Sequence, residues 1–444
     1  MANITTAFPY TLLELQELVV AQKKIIIKGA GTSTVLPFAQ IEKYLNKNDQ
    51  LFLVSIDNLS KEICLVDEQT LKISGAITWL EARQFLFEKK YDLPLWPTET
   101  SAYILSGLAT SASGERCFKY GPLRNYINKI KVINENGKLC EYHANKKYAG
   151  PKLDLSSNKI SYFKNSLIPQ IESEIDPFIG SEGQLGILIE CQIKLVPKIK
   201  TLPFFVLLKP WDENDNYKTH IKVLNWVRNQ KDIITCEMMD YLSLEFVSSS
   251  RFKNKKKDLI FFECEDSAIQ TLCEELLENC SELEAQDIGQ IELSELNSLR
   301  LEIPRKVADF ISNNKLLKKG TDVQVNQNNV EDLFLSYIRM GKMLKQSNLR
   351  FLLFGHFGDC HLHFNILPTK EQSDWCDKIL ENFYDQIMKV DCMPFAEHGI
   401  GILKQKYWFK YVSKNEQKEI KRLKEWYDSK YIFNPLGYMS KIEI

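Results

Sequence analysis

The sequence predicts an α+β protein of at least two domains. Its length, its early pattern of short apolar runs separated by Gly/Ser/Thr-rich turns, and its later alternation of longer helical periodicities with strand-like runs all point that way. At 444 residues the chain exceeds what one hydrophobic core organises, and 44% hydrophobic with 26% charged residues is ordinary for a folded protein.

Lys24 to Lys28 is an apolar run that stops at Gly29-Ala30-Gly31-Thr32-Ser33, which predicts a strand and then a loop. Thr78 to Lys90 has helical apolar spacing, and two prolines in LPLWPTETS end it. Lys129 to His143 predicts a hairpin turning at Asn136-Gly137. Gly186 to Val196 places Ile187, Ile189, Cys191, Ile193 and Leu195 on one side of a strand. Pro197 and the lysines around it mark a boundary. Beyond it the pattern predicts helices over 267–280 and 331–346 and a strand from Leu259 to Cys264. The basic run 251–257 is expected to be a solvated loop, and the helix over 414–427, opened by a Ser413–Glu416 capping pattern, an exposed face.

Lys and Arg total 57 against 58 Asp and Glu, so no global field recruits nucleic acid or anionic lipid. The 11 cysteines are odd in number and contain no CxxC pair, a usage that fits reduced thiols rather than a disulfide framework. The N-terminal stretch shows no basic segment ahead of its apolar residues, as a signal peptide would, and no apolar run approaches the ~18 residues of a membrane span. A cytoplasmic protein is therefore expected, with peripheral membrane contact left open.

Three of the chain's 6 histidines fall in GHFGDCHLHFN, Gly355 to Asn365. On a strand His361, His363 and Asn365 share one face, while Leu362, Phe364 and Ile366 point into a core. His356 is read in a loop bracketed by Gly355 and Gly358, whose freedom lets a third imidazole join that face. Alone, this segment fits a divalent-metal site and a set of hydrogen-bonded histidines equally well. AEHGIG, Ala396 to Gly401, adds Glu397 and His398 in another glycine-flanked turn. Two or three imidazoles with one carboxylate form the donor set of an open, catalytic metal site rather than a closed structural one.

The glycine-rich loops point to a second ligand. KGAGTSTVLPF (28–38) lacks the third glycine of GxGxxG, and Pro37 falls where a Rossmann helix would be under way, which argues against a doubly wound NAD fold. A Gly/Ser/Thr loop can still cradle a pyrophosphate with backbone N–H groups. Comparable loops are read at 104–121 and 178–187, and three in one domain suggest a long phosphate-containing ligand.

These segments resemble the FAD-linked D-2-hydroxyacid dehydrogenases of the PCMH-type (vanillyl-alcohol-oxidase) flavoprotein superfamily, which includes D-lactate, glycolate and D-2-hydroxyglutarate dehydrogenases. IGSEGQLGI resembles the family's GSEGxLGI, GHFGDCHLHFN its GHxGDGNLHxN, AEHGIGILK its EHGIGxxK, and IFNPLG its NPGK ending. The resemblance implies a PCMH-type FAD-binding domain over 1–199 and an FAD-linked oxidase C-terminal (cap) domain with antiparallel sheet and helices over 200–390. Residues 391–444 would complete the active site and pack back on the FAD domain.

It also implies FAD contacts at Gly29, Ala30, Gly31, Thr32, Ser33, Pro97, Ser106, Gly107, Thr110, Gly114, Glu182, Gly183, Ile187 and Asn434. His356, His363 and Glu397 would ligate a divalent metal, with Zn²⁺ ahead of Mn²⁺ or Fe²⁺. His398 would be the base, and Arg300 and Asn365 would bind substrate. The first loop has no histidine, where some relatives tether the flavin covalently, so noncovalent FAD is expected.

The chain also departs from the family pattern. His361 stands where the family has Asn, Leu105-Ser106 replaces a glycine pair, NPLGYMSK displaces the final lysine, and Asn326 replaces a proline after DVQV. The implied activity is oxidation of a D-2-hydroxy acid to the 2-oxo acid. The electron acceptor is unspecified among electron-transfer flavoprotein, quinone, cytochrome and oxygen. Competing expectations are a metal-dependent hydrolase, a noncatalytic FAD-binding subunit of an electron-transfer complex, and an alkylglycerone-phosphate-synthase-like flavoenzyme.

Overall fold

The structure is a computed structural model that describes residues 3–46, 50–154, 171–247 and 251–442. Its contacts divide the chain into two units. One combines Met1–Ser113, Pro122–Lys198 and Glu397–Ile444, and the other Gly114–Gly121 and Ile199–Ala396.

The first unit is built on small sheets. Strands Asn3–Ala7, Gln50–Ser55 and Ile25–Lys28 form a parallel sheet with Gln50–Ser55 in the middle. Strands Glu62–Asp67, Thr70–Ser74, Ile187–Lys194, Ile127–Ile133 and Leu139–His143 form an antiparallel sheet in that order. The predicted hairpin is present, with Lys129 opposite His143 and Gly137 at φ +72° in its turn. Helix Leu12–Val20 sends Leu15 and Val19 into a core with Ile25, Val54, Ile133, Ile187, Ile432 and Phe433. The last two come from the returning C-terminal segment, so that segment is part of this unit's core.

Helix Trp79–Leu86 starts at Thr78, whose hydroxyl accepts from Glu81 N while the Glu81 carboxylate accepts from Thr78 N. Such a cap contributes about 1 kcal/mol.

The stretch 104–121 differs from its reading as a loop, because it forms helices Ile104–Ala109 and Cys117–Tyr120. Ile104, Leu105 and Leu108 share a buried helical face, and that burial outweighs the Gly/Ser content. Gly107 lets the helix pack closely there, since a Cβ would lie 3.0 Å from the Trp79 ring. Helix Lys414–Tyr427 is also less exposed than expected. It buries Ile420, Leu423 and Lys424, and the Lys424 ammonium donates to Gln184 O, Asp428 Oδ2 and Phe433 O at 2.6–2.7 Å.

The second unit is organised around one antiparallel sheet. Its strand order is Ile288–Gln290, Thr201–Leu208, Asp258–Glu265, Ile233–Met239, Phe351–His356, His361–Ile366, Val323–Val325, Cys392–Met393, with Lys319–Gly320 also pairing to His361–Ile366. Helix Val330–Gln346 packs on one face, where Tyr337 lies against Phe364 and Phe383 and donates its hydroxyl to Leu362 O at 2.9 Å. On the opposite face Leu296, Leu299, Ile303 and Val307 of helix Leu293–Asn313 pack with Phe205, Leu207, Met239 and Leu352. All eleven cysteines are free thiols.

Candidate functional site

The hairpin joining Phe351–His356 to His361–Ile366 gathers the histidines. His356 is the last residue of its strand rather than part of a loop. A short turn over Phe357–Asp359 with Cys360 at φ +53° brings the chain back within one step, and His356 pairs directly with His361. Facing residues of an antiparallel pair share a side of the sheet, and alternate residues along a strand do too. His356, His361, His363 and Asn365 therefore lie on one face, with Leu352 and Phe354 beside them. The imidazoles are buried, with exposures of 4%, 0% and 8% for His356, His361 and His363.

Two carboxylates missed in the sequence support them. Glu237 Oε1 lies 2.7 Å from His356 Nδ1, and Asp322 Oδ1 lies 3.1 Å from His361 Nε2. Glu237 carried a legible signal as the lone acid in the fully buried strand IITCEMM. Gln324 stands opposite His361 on the next strand and donates to Asp359 O at 3.0 Å. Asn365 Nδ2 donates to His363 O at 3.2 Å, and a Cβ on Gly320 would meet Asn365 Oδ1 at 3.3 Å. Arg300, on helix Leu293–Asn313, is ion-paired with the buried Glu115.

A buried acid pair lies farther along the same sheet. Asp258 accepts from Trp211 N and Tyr241 N at 2.6 and 2.9 Å, and its Oδ2 lies 2.9 Å from His220 Nε2. Burial and then the Asp258 charge push the neighbouring Asp240 carboxyl up to about 8. This group is structural, because Asp240 caps helix Tyr241–Leu244.

In the first unit the glycine-rich segments converge. A Cβ on Gly29 would sit 2.2 Å from Ser106 Oγ, so the first loop passes directly over helix Ile104–Ala109. Gly180 N and Glu182 N donate to Leu108 O and Ala109 O at 3.1 and 2.7 Å, which ties the third segment to that helix's end. Glu182 and Gly183 both take positive φ, and a Cβ on Gly183 would meet nothing within 4 Å, so its backbone faces open space.

Residues 30–34 are exposed, with Ser33 Oγ accepting from Leu36 N at 3.1 Å. Thr110 spends its hydroxyl on Ser106 O, Pro97 is buried, and Ile187 points into the core. Gly114 falls in the second unit, where its carbonyl accepts from Cys117 N.

The turn carrying Glu397 and His398 opens the segment that returns to the first unit. Glu182 holds it, since its carboxylate accepts from Ile400 N at 2.5 Å and Gly401 N at 3.0 Å. Gly399 at φ +79° and Gly401 at φ +50° are needed because a Cβ would lie 2.7 Å from Glu182 Oε1 or 2.3 Å from Val35 O. Burial pushes the Glu182 carboxyl up against the opposing effect of these N–H donors. Asn434, at φ +43°, donates Nδ2 to Glu182 O at 3.0 Å.

The Asn434 Oδ1 and Tyr438 Oη atoms are buried without a hydrogen-bond partner among the described residues. Burial and the nearby Glu182 hold the Tyr438 phenol well above its ordinary range. Open backbone at Gly183, loops with positive φ and two polar atoms awaiting partners suit a polar, extended cofactor such as FAD. The three imidazoles with Glu237 and Asp322 behind them suit a divalent ion.

Comparison with known proteins bears on the flavin part of this site. Residues 7–142 match the FAD binding domain and residues 215–437 the FAD linked oxidases, C-terminal domain. Among curated proteins, the chain is 23% identical to the mitochondrial D-lactate dehydrogenase [cytochrome] of Kluyveromyces lactis, covering 91% of this chain and 65% of that enzyme. It is 25% identical to the D-2-hydroxyglutarate dehydrogenase of Stutzerimonas stutzeri, over 96% and 89%. It is 22% identical to the glycolate oxidase subunit GlcD of Bacillus subtilis, over 86% and 78%.

A solved alkyldihydroxyacetonephosphate synthase shares the fold, with a TM-score of 0.66 at 17% identity over 97% of this chain and 75% of that one. No helix among the described residues is long and apolar enough to cross a membrane. The C-terminal match alone spans just over half of the 444 residues, and the chain belongs to the FAD-linked oxidases, a family of flavin-dependent oxidoreductases.

Proposed function

We propose that this protein oxidises a small D-2-hydroxy acid, of the D-lactate, glycolate or D-2-hydroxyglutarate kind, to the 2-oxo acid with noncovalently bound FAD. The carrying observation is the buried face of His356, His361 and His363 in a chain of this family. The relatives named for D-lactate, D-2-hydroxyglutarate and glycolate support the substrate class.

In this reading His356, His363 and Glu397 hold a divalent ion, Zn²⁺ first, while Gly29–Ser33, Ser106, Gly107, Thr110, Glu182, Gly183 and Asn434 line the flavin. When bound, FAD supplies the hydride acceptor and the ion the Lewis acidity that makes the hydroxyl more acidic. The protein's own residues bind, orient and move the proton. His398 takes the hydroxyl proton, a role matched to imidazole near neutral pH. Arg300, which is paired with Glu115, is the cation for the substrate carboxylate, and Asn365 offers an amide to the substrate.

The test is the visible spectrum of the purified, metal-replete protein under anaerobic conditions, before and after each D-acid and its L-enantiomer where one exists. Bleaching of the oxidised-flavin band by one D-acid is the expected result. A flavin band that no 2-hydroxy acid bleaches would favour a noncatalytic subunit or a synthase-like reaction, and no band at all would remove the cofactor assignment.

A further inference from the structure

The histidine face holds one imidazole more than the family motif supplies, because His361 stands at the motif's asparagine position. It is not turned away from the others. Ring centroids lie 5.6 Å apart for His356–His361, 4.5 Å for His361–His363 and 6.1 Å for His356–His363. Each ring offers a nitrogen within 4.8 Å of those offered by the other two.

Strand pairing fixes this arrangement: His356 and His361 face each other across the hairpin, and His363 follows two residues on. The carboxylates behind the rings set which nitrogen faces forward. Glu237 engages Nδ1 of His356 and Asp322 engages Nε2 of His361. A neutral imidazole that donates to a carboxylate from one nitrogen carries its lone pair on the other, here Nε2 of His356 and Nδ1 of His361. Carboxylate–imidazole pairs of this kind orient and strengthen metal ligands.

We propose that His361 is a metal ligand, held by Asp322, so that the second unit alone presents three imidazoles to a divalent ion. The proposal rests on the metal site argued above and extends it. Three imidazole donors favour borderline ions such as Zn²⁺, Co²⁺ and Ni²⁺ over the oxygen-seeking Mg²⁺ and Ca²⁺. The competing account gives His361 a purely structural hydrogen bond with Asp322, and under it the metal would not sense the ring.

The experiment strips the FAD-loaded protein of metal with a chelator and titrates Co²⁺ and Zn²⁺ in competition with a chromophoric chelator, for wild type, His361→Asn and His363→Ala. His361→Asn is expected to weaken binding at least about tenfold, as is typical when a site loses a supporting or direct donor, and to change the Co²⁺ absorption bands while FAD content stays unchanged. Equal affinity and equal Co²⁺ bands in His361→Asn, with binding lost in His363→Ala, would overturn the proposal and leave the two-histidine site standing. No metal uptake by wild type would overturn both.

If His361→Asn does not fold, pulsed electron resonance of the Cu²⁺-loaded wild type counts the coordinated imidazoles. Three support the proposal and two overturn it.

Discussion

His356 Nδ1 and Glu237 Oε1 lie 2.7 Å apart in a buried contact between adjacent strands of one sheet. The carboxylate fixes the tautomer and the ring plane of His356, so its effect should register in metal affinity before anything else. Glu237→Gln is expected to weaken Zn²⁺ or Co²⁺ binding by about 10- to 100-fold without loss of FAD. A chelator competition assay checks it, and unchanged affinity would show that Glu237 does not orient the ring.

Glu182 is expected to act through the turn it holds. Removing its carboxylate leaves the N–H groups of Ile400 and Gly401 without their acceptor, a cost of about 1–3 kcal/mol for each buried group left unsatisfied. Glu182→Ala should therefore lower the melting temperature and loosen FAD, whereas Glu182→Gln, which keeps one acceptor oxygen, should do so less. Equal losses in the two variants would contradict the turn-holding role.

His398→Ala, prepared with FAD and metal at wild-type content, is expected to lose about 10²- to 10⁴-fold in turnover, the usual contribution of a general base. Anaerobic flavin bleaching followed by stopped flow isolates that step. Near-normal rates would remove His398 from the role.

Asp240 predicts a pH signature. With its carboxyl raised to about 8, the folded state holds a proton that the unfolded chain releases near its ordinary value of 3.8. Its contribution to stability is therefore present at low pH and is lost as the pH rises from about 4 towards about 8. The charged and titrating groups around it are Asp258 and, beyond that, His220. Asp240→Asn keeps a helix-capping side chain and removes the titration, so its melting temperature relative to wild type should climb across that window. A constant difference would show that Asp240 is ionised throughout.

Much of this was legible in the sequence where local pattern and tertiary role agree. The strand at Ile25–Lys28, the hairpin at Gly137 and the cap at Ser413 follow from side-chain chemistry acting over a few residues. The same holds for the shared face of His361, His363 and Asn365, which needs only the two-residue period of a strand.

What escaped depends on distant partners. The helix at Ile104–Ala109 wins over its glycine and serine because Trp79 and the core cover it. Lys424 is buried because three acceptors meet its ammonium, two of them backbone carbonyls that no sequence pattern announces. Glu237 and Asp322 reach their histidines across strand neighbours 119 and 39 residues away.

The return of the C-terminal segment to the first unit bears on the order in which the protein can fold. Lys24 donates to Tyr431 O across 407 residues, and Ile432 and Phe433 join the core of Ile25 and Val54. During synthesis the first unit must wait for this segment, while the bulk of the second unit, Ile199–Ala396, has already left the ribosome. Until that segment arrives, the early strands carry apolar surface that Ile432 and Phe433 later cover.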